Sequence, residues 1–337
     1  MLSAFISGLA GLELTPREAA FLREARPCGV IPFARNVADP EQLRRLTDAA
    51  RSAVGEAILV LVDQEGGRVQ RLRPPHWRAL PPAAAYARAF PHDLARAAQA
   101  AGAAARLTAA ELRAVGIDAN CAPLLDVPQP GSHDVIGDRA YADAPDAVAM
   151  LGAAVAEALI AGGVVPIMKH IPGHGRATAD SHFDLPVVAA GRQALEATDF
   201  APFRRLSWLP AAMTAHVVFT AIDAAAPASI SGTVTEQVIR RAIGFDGLLL
   251  SDDLAMKALA GTVSERAKAV LAAGSDVVLA CNGGLPESEA VAAVAPRLAG
   301  RALARFERAR AVAAAAPQAF DPAEAEARLA EVLRAVA

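Results

Sequence analysis

The sequence predicts a parallel (β/α)8 barrel of the TIM type, and three observations predict it. Short apolar runs of strand length alternate with longer segments of helical period, eight such runs can be counted, and polar residues cluster just after them. The runs lie at residues 4–6, 29–33, 58–62, 117–125, 164–170, 212–217, 248–251 and 277–280. Near-continuous apolar runs suit strands buried on both faces, as a parallel sheet covered by helices requires. Helix starts fall between them: Thr15-Pro16-Arg17-Glu18 and Asp321-Pro322-Ala323-Glu324 each offer an N-cap, a first-turn proline and an N3 glutamate, and Asp39-Pro40 opens another helix. A doubly wound sheet is the competing arrangement. It calls for a Gly-rich first βα turn, and Gly8-Leu9-Ala10-Gly11 matches that fingerprint poorly. No linker or composition shift divides the 337 residues, so the expectation is one domain over 1–337, with the helices from about residue 286 packed on the barrel.

Composition narrows the class. Hydrophobic residues make up 54% and mean hydropathy is +0.29, but the excess is largely alanine on helices that also carry Arg and Glu, which reads as buried helix faces. Charge-free stretches such as 158–168 contain Gly and Pro and fall short of the ~20 residues a membrane span needs. The first fourteen residues carry no basic charge and no cleavage-site pattern, so no secretory signal is expected and the protein is expected in the cytoplasm. Cys28, Cys121 and Cys281 are far apart in or beside apolar runs, which predicts reduced, buried thiols. With 33 Lys and Arg against 36 Asp and Glu, a net charge of −3 and no long run of one sign, nucleic acid is not an expected partner.

Barrel enzymes carry their chemistry at the C-terminal ends of the strands, and here Asp63, Asp126, Lys169-His170, His216 and Asp252-Asp253 follow or end strands three to seven. The densest cluster is Lys169-His170-Ile171-Pro172-Gly173-His174-Gly175 followed by Asp180-Ser181-His182. Two histidines four apart invite a metal reading, but Pro172, Gly173 and Gly175 forbid the helix that would bring them to one face, so no metal is expected. Asp180 can orient and charge-stabilise the His182 imidazole, making His182 a general acid/base candidate; the competing reading is an exposed loop histidine beside a capping aspartate. Strand seven ends in Ser251-Asp252-Asp253, where alternation lets only one carboxylate face the barrel mouth and leaves helix capping open for either. The run Asp63-Gln64-Glu65-Gly66-Gly67-Arg68-Val69-Gln70-Arg71 suits binding of sugar hydroxyls or a carboxylate, or else a salt-bridged rim. Arg139, in Ile136-Gly137-Asp138-Arg139, is a substrate clamp or a structural ion pair.

Together these segments closely resemble glycoside hydrolase family 3, specifically its single-domain bacterial β-N-acetylhexosaminidases of peptidoglycan recycling. The motifs appear in family order: Gly29-Val30-Ile31-Pro32-Phe33-Ala34-Arg35-Asn36, then Asp63 to Arg68, Lys169 to Gly175 with Asp180-Ser181-His182, and Ser251-Asp252-Asp253-Leu254. The likeness implies Asp252 as nucleophile, His182 as acid/base with Asp180 as its partner, and substrate contacts at Asp63, Arg71, Arg139, Lys169 and His170. Ile171 stands where phenylalanine is usual, and Pro32 interrupts the second-strand signature. The implied reaction is a retaining double displacement that removes terminal β-linked N-acetylglucosamine from muropeptide fragments such as GlcNAc-1,6-anhydroMurNAc. It implies a monomer with a small carbohydrate substrate, no cofactor and no membrane. Phosphorolysis is the rival within the enzyme class, because a neutral histidine base repels phosphate less than a glutamate would. A metal-dependent hydrolase and a non-catalytic sugar-binding barrel are the others.

Overall fold

Eight parallel strands close on themselves in the order 1-8-7-6-5-4-3-2. They are β1 (Ser3–Gly8), β2 (Pro27–Ile31), β3 (Leu59–Val62), β4 (Ala119–Asn120), β5 (Val165–Ile171), β6 (Ala211–Thr214), β7 (Leu248–Asp253) and β8 (Val277–Ala280). This is the predicted (β/α)8 barrel, described by a computed structural model for all residues except Glu56, His182 and Ala337. Every residue of β2, β3, β5, β6 and β8 is buried, which is why the sequence shows unbroken apolar runs rather than alternation.

β4 is much shorter than the apolar run that predicts it. The chain from Cys121 to Leu125 still follows the wall, with the Cys121 N–H on the Val62 carbonyl and the Leu125 N–H on the Lys169 carbonyl. Pro123 has no N–H to give, which interrupts the ladder there. β2 stops at Ile31, so Pro32 falls just outside it and costs no pairing. Ile171 is fully buried among Leu125, Met168, Phe200 and Phe203.

Helix signals hold where they can be checked. Thr15 and Glu18 form a reciprocal capping box on Pro16–Ala25, and the Asp39 carboxylate accepts from the Gln42 N–H at the start of Pro40–Val54. Asp321 accepts from the Ala323 N–H at the start of Pro322–Val336. That last helix packs on Leu94–Ala114 and Ala84–Ala89, and Arg78 ties Glu326 to Glu111 across the same seam. Gly300–Ala314 crosses the end of the barrel away from the site, where Arg305 bonds Asp246 and Asp276. The three cysteines are free and buried. Among the described residues no helix is long and apolar enough to cross a membrane.

The loops at the C-terminal ends lie close together because two glycines allow it. A Cβ on Gly175 would stand 2.0 Å from the Val127 carbonyl oxygen. Without one, the segment after β5 runs against the segment after β4, through Gln129 N–H to Gly175 O and His133 N–H to Ala177 O. Gly66, at φ 108°, turns the hairpin Gln64–Gly66/Val69–Gln70 under Pro81.

Candidate active site

At the C-terminal mouth of the barrel a cavity of about 330 Å³ is lined by Asp63, Arg71, Arg139, Lys169, His170, His174, Ser181, Asp252 and Asp253, with Phe33, Val135, Ile136, Met213 and Met256 as its apolar wall. Small-ligand pockets run ~300–1,000 Å³, so this one suits a single sugar residue rather than a chain.

One side of the cavity is an ion lattice assembled from three strand ends. Lys169 Nζ, at the end of β5, lies 2.9 Å from Asp63 Oδ1 and 2.6 Å from Glu65 Oε1, with its side chain 3% exposed. Arg71 donates to Asp63 Oδ2 at 2.9 Å, and Arg139 grips Glu65 with two parallel bonds of 2.9 and 2.8 Å. Burial alone would raise the carboxyl pKa values, but the cations outweigh it. Lys169 and Arg71 hold Asp63 well below the usual carboxylate range, and Lys169 and Arg139 hold Glu65 down to about 2. Burial likewise opposes the Lys169 charge, and the two carboxylates overcome it, raising its pKa. Four of the predicted contacts therefore meet in one network, and Arg139 is at once a cavity wall and a structural ion pair. The Arg71 Nε–H is buried without an acceptor among the described residues, although its guanidinium lines the cavity over the Phe33 ring.

Glu65 is the residue that the sequence argument passed over. It sits two positions after Asp63, the spacing that puts extended side chains on one side, and that was the available signal. Its folded pKa is below its ordinary value of 4.5, so its contribution to stability is fully present above pH 4.5 and is lost as the pH falls toward about 2. The melting temperature of the wild type should therefore fall more steeply across that window than that of Glu65→Gln, followed by circular dichroism; parallel curves would contradict the buried ion lattice.

The second group surrounds Asp126, which is fully buried after β4. Its Oδ2 is 2.7 Å from His170 Nδ1, and its Oδ1 accepts the His174 N–H at 2.7 Å. Because an ionised carboxylate only accepts, Nδ1 of His170 carries the hydrogen and Nε2 is left for the cavity. His174 is pushed down to about 4 by burial and by the neighbouring His170, so it is neutral at pH 7, and its Nε2 meets Ser181 Oγ at 3.1 Å. This contact ties the base of the cluster to the Asp180-Ser181-His182 segment. Asp126 and His174 were part of the sequence clusters, but nothing local pointed to their roles as supports.

The third group ends β7. Asp253 is committed to its neighbours: its Oδ1 accepts from the Cys281 and Ala255 backbone N–H groups, and its Oδ2 from the Asn282 side-chain Nδ2 at 2.6 Å. Burial raises its pKa. The Asp252 carboxylate lines the same cavity and accepts from the Asp253 N–H at 2.8 Å, the one hydrogen bond it makes among the described residues. Burial works against its charge, yet His170 and His216 keep its pKa below the ordinary value. His216, fully buried past β6, bridges Ser229 Oγ at 2.7 Å and the Asp253 carbonyl at 3.2 Å, pinning this strand end. His182 lies outside the described residues; Asp180 is half-buried two positions before it. Among the described residues no group of three or more His, Cys, Asp or Glu side chains is arranged to hold a metal.

Comparison with known proteins gives one family. The model for the glycosyl hydrolase family 3 N-terminal domain matches residues 9–309. A β-hexosaminidase of Alkalilimnicola ehrlichii is 43% identical over 298 residues, covering 87% of this chain and 84% of that one. Native NagZ from Neisseria gonorrhoeae superposes with a TM-score of 0.87 at 35% identity, covering 100% of this chain and 98% of that one. The same protein has also been solved in complex with N-trifluoroacetyl-D-glucosamine. A family 3 β-N-acetylglucosaminidase from Paenibacillus gives a TM-score of 0.85 at 31% identity, covering 98% of this chain and 66% of that longer one.

Proposed function

We propose that this chain, which belongs to glycosyl hydrolase family 3 and is a β-N-acetylhexosaminidase, removes terminal β-linked N-acetylglucosamine by double displacement, with Asp252 as nucleophile and His182 as acid/base. The observation that carries this reading is the contrast at the end of β7. Asp253 is held by three donors, while Asp252 stands ionised in the cavity with one N–H on it. A nucleophilic carboxylate must be charged and open to the anomeric carbon, and Asp252 meets both needs.

In the first step Asp252 displaces the leaving oxygen while imidazolium His182, oriented by Asp180, protonates it. In the second, His182 takes a proton from water as that water releases the sugar from Asp252. Asp63, Arg71, Arg139, Lys169 and His170 hold the terminal sugar. Its hydroxyls meet donors and acceptors fixed before binding, so little reorganisation is required. The lattice closes the cavity beyond that sugar, which makes the enzyme exo-acting. Asp63, Asp252 and Asp253 line the cavity together with Arg71, Arg139 and Lys169, and the positive charge of an oxocarbenium-like transition state develops beside the Asp252 carboxylate.

The substrates under this reading are muropeptide fragments such as GlcNAc-1,6-anhydroMurNAc, met in the cytoplasm, where three unpaired, buried cysteines are at home. The test is nitrophenol release from 4-nitrophenyl β-N-acetylglucosaminide, with and without phosphate and with EDTA throughout. Turnover independent of phosphate and resistant to chelator is expected. A strict phosphate requirement with sugar phosphate as product would overturn hydrolysis, and loss of activity to chelator would overturn a metal-free mechanism.

A further inference from the structure

Phe183 and Lys257 lie on two different loops, each next to a part of the chain that reaches the cavity. Ser181, two residues before Phe183, and Met256, next to Lys257, both line the cavity. Phe183 is 67% exposed, and its alternate neighbours Leu185 and Val187 are exposed as well, an apolar stripe where a purely structural loop would turn such side chains inward. Lys257 is exposed, and its Nζ is 5.9 Å from the centroid of the Phe183 ring, within cation–π reach across the mouth between the loops after β5 and β7. It has no carboxylate partner among the described residues. The cations inside the cavity differ: Arg71, Arg139 and Lys169 are each already paired.

We propose that Phe183 and Lys257 form a platform for the leaving group, which takes a pyranose ring against the aromatic face and a carboxylate at the ammonium. This inference rests on the glycosidase reading above. With the terminal sugar in the cavity and the ion lattice closing its far side, the leaving sugar lies toward the rim, where an aromatic face covers the C–H side of a ring and a spare ammonium attracts an anion. Phe183 and Lys257 are thus specificity-determining residues for an acidic leaving sugar.

The test compares two disaccharides with the same terminal β-1,4-linked N-acetylglucosamine, one leaving neutral N-acetylglucosamine and the other N-acetylmuramic acid, whose lactyl group carries a carboxylate. The inhibition constant of free N-acetylglucosamine reports the inner cavity alone. Lys257→Gln is expected to lower the acidic-to-neutral ratio of kcat/KM by about three- to five-fold, the size of an exposed ion pair, and added salt should lower the wild-type ratio in the same direction. Phe183→Ala is expected to lower kcat/KM for both disaccharides by about five-fold, and by more than it raises the inhibition constant. Wild-type turnover with a ratio that Lys257→Gln leaves unchanged overturns the platform, as does a Phe183→Ala inhibition constant that rises in step with the loss of turnover, since that pattern belongs to a structural latch. A wild type that cleaves neither disaccharide overturns the glycosidase reading itself.

Discussion

Replacing Asp252 with alanine is expected to lower kcat by at least about 10⁴-fold, as removal of a covalent nucleophile does elsewhere, while leaving the protein folded and only slightly less stable. Both halves follow from its surroundings. The carboxylate is half-buried and charged, shares the cavity with Asp253, and has one N–H and no directly bonded cation among the described residues. Because His170 and His216 hold its pKa below the ordinary value, the charge contributes modestly to the fold at neutral pH, and its loss is expected to cost a few degrees of melting temperature at most. Added azide is expected to restore turnover in Asp252→Ala by entering the vacated side of the sugar, giving the α-glycosyl azide. Activity within about ten-fold of the wild type, or a melting temperature lowered by many degrees, would show that Asp252 is structural.

The other large effect is expected at Lys169. Its ammonium is shared by Asp63 and Glu65 and is almost wholly removed from water. Replacing it with methionine removes the one cation the two carboxylates share and leaves each with a single arginine, Arg71 or Arg139, so the cost is expected at about 3 kcal/mol, the low end for breaking a buried pair. In a chain of this size that lowers the melting temperature by on the order of 10 °C. Activity should fall by about 10³-fold or more, because the same change frees two of the groups proposed to hold the sugar. The double variant Lys169→Met/Asp63→Asn, which keeps the buried Glu65–Arg139 pair and restores the net charge of the lattice, is expected to regain part of the stability and none of the activity. A stable single variant would contradict the buried network, and recovery of activity in the double variant would remove Asp63 and Lys169 from sugar binding.

The barrel was legible because its strands are buried on both faces, so that composition alone marks them; β4 was misjudged in length because Pro123 interrupts pairing inside an otherwise suitable run. The site was legible where polar residues cluster along the chain, as in the histidine-rich cluster after β5; alternation did not separate Asp252 from Asp253, since both line the cavity. It was opaque where partners come from afar. Glu65 meets Arg139 across 74 residues, and the N–H that takes Asp253 out of contention comes from Cys281, 28 residues on. No local pattern encodes either pairing; only closure of the barrel brings them together.

The most direct measurement of the central claim is to trap the enzyme with a 5-fluoro N-acetylglucosaminyl fluoride, whose ring fluorine slows both displacements, and to map the labelled peptide by mass spectrometry. Double displacement through Asp252 predicts one sugar per chain, attached to Asp252 and lost on return to turnover. A label on another carboxylate, or turnover of the reagent with no covalent species and an inverted first-formed product, would contradict it.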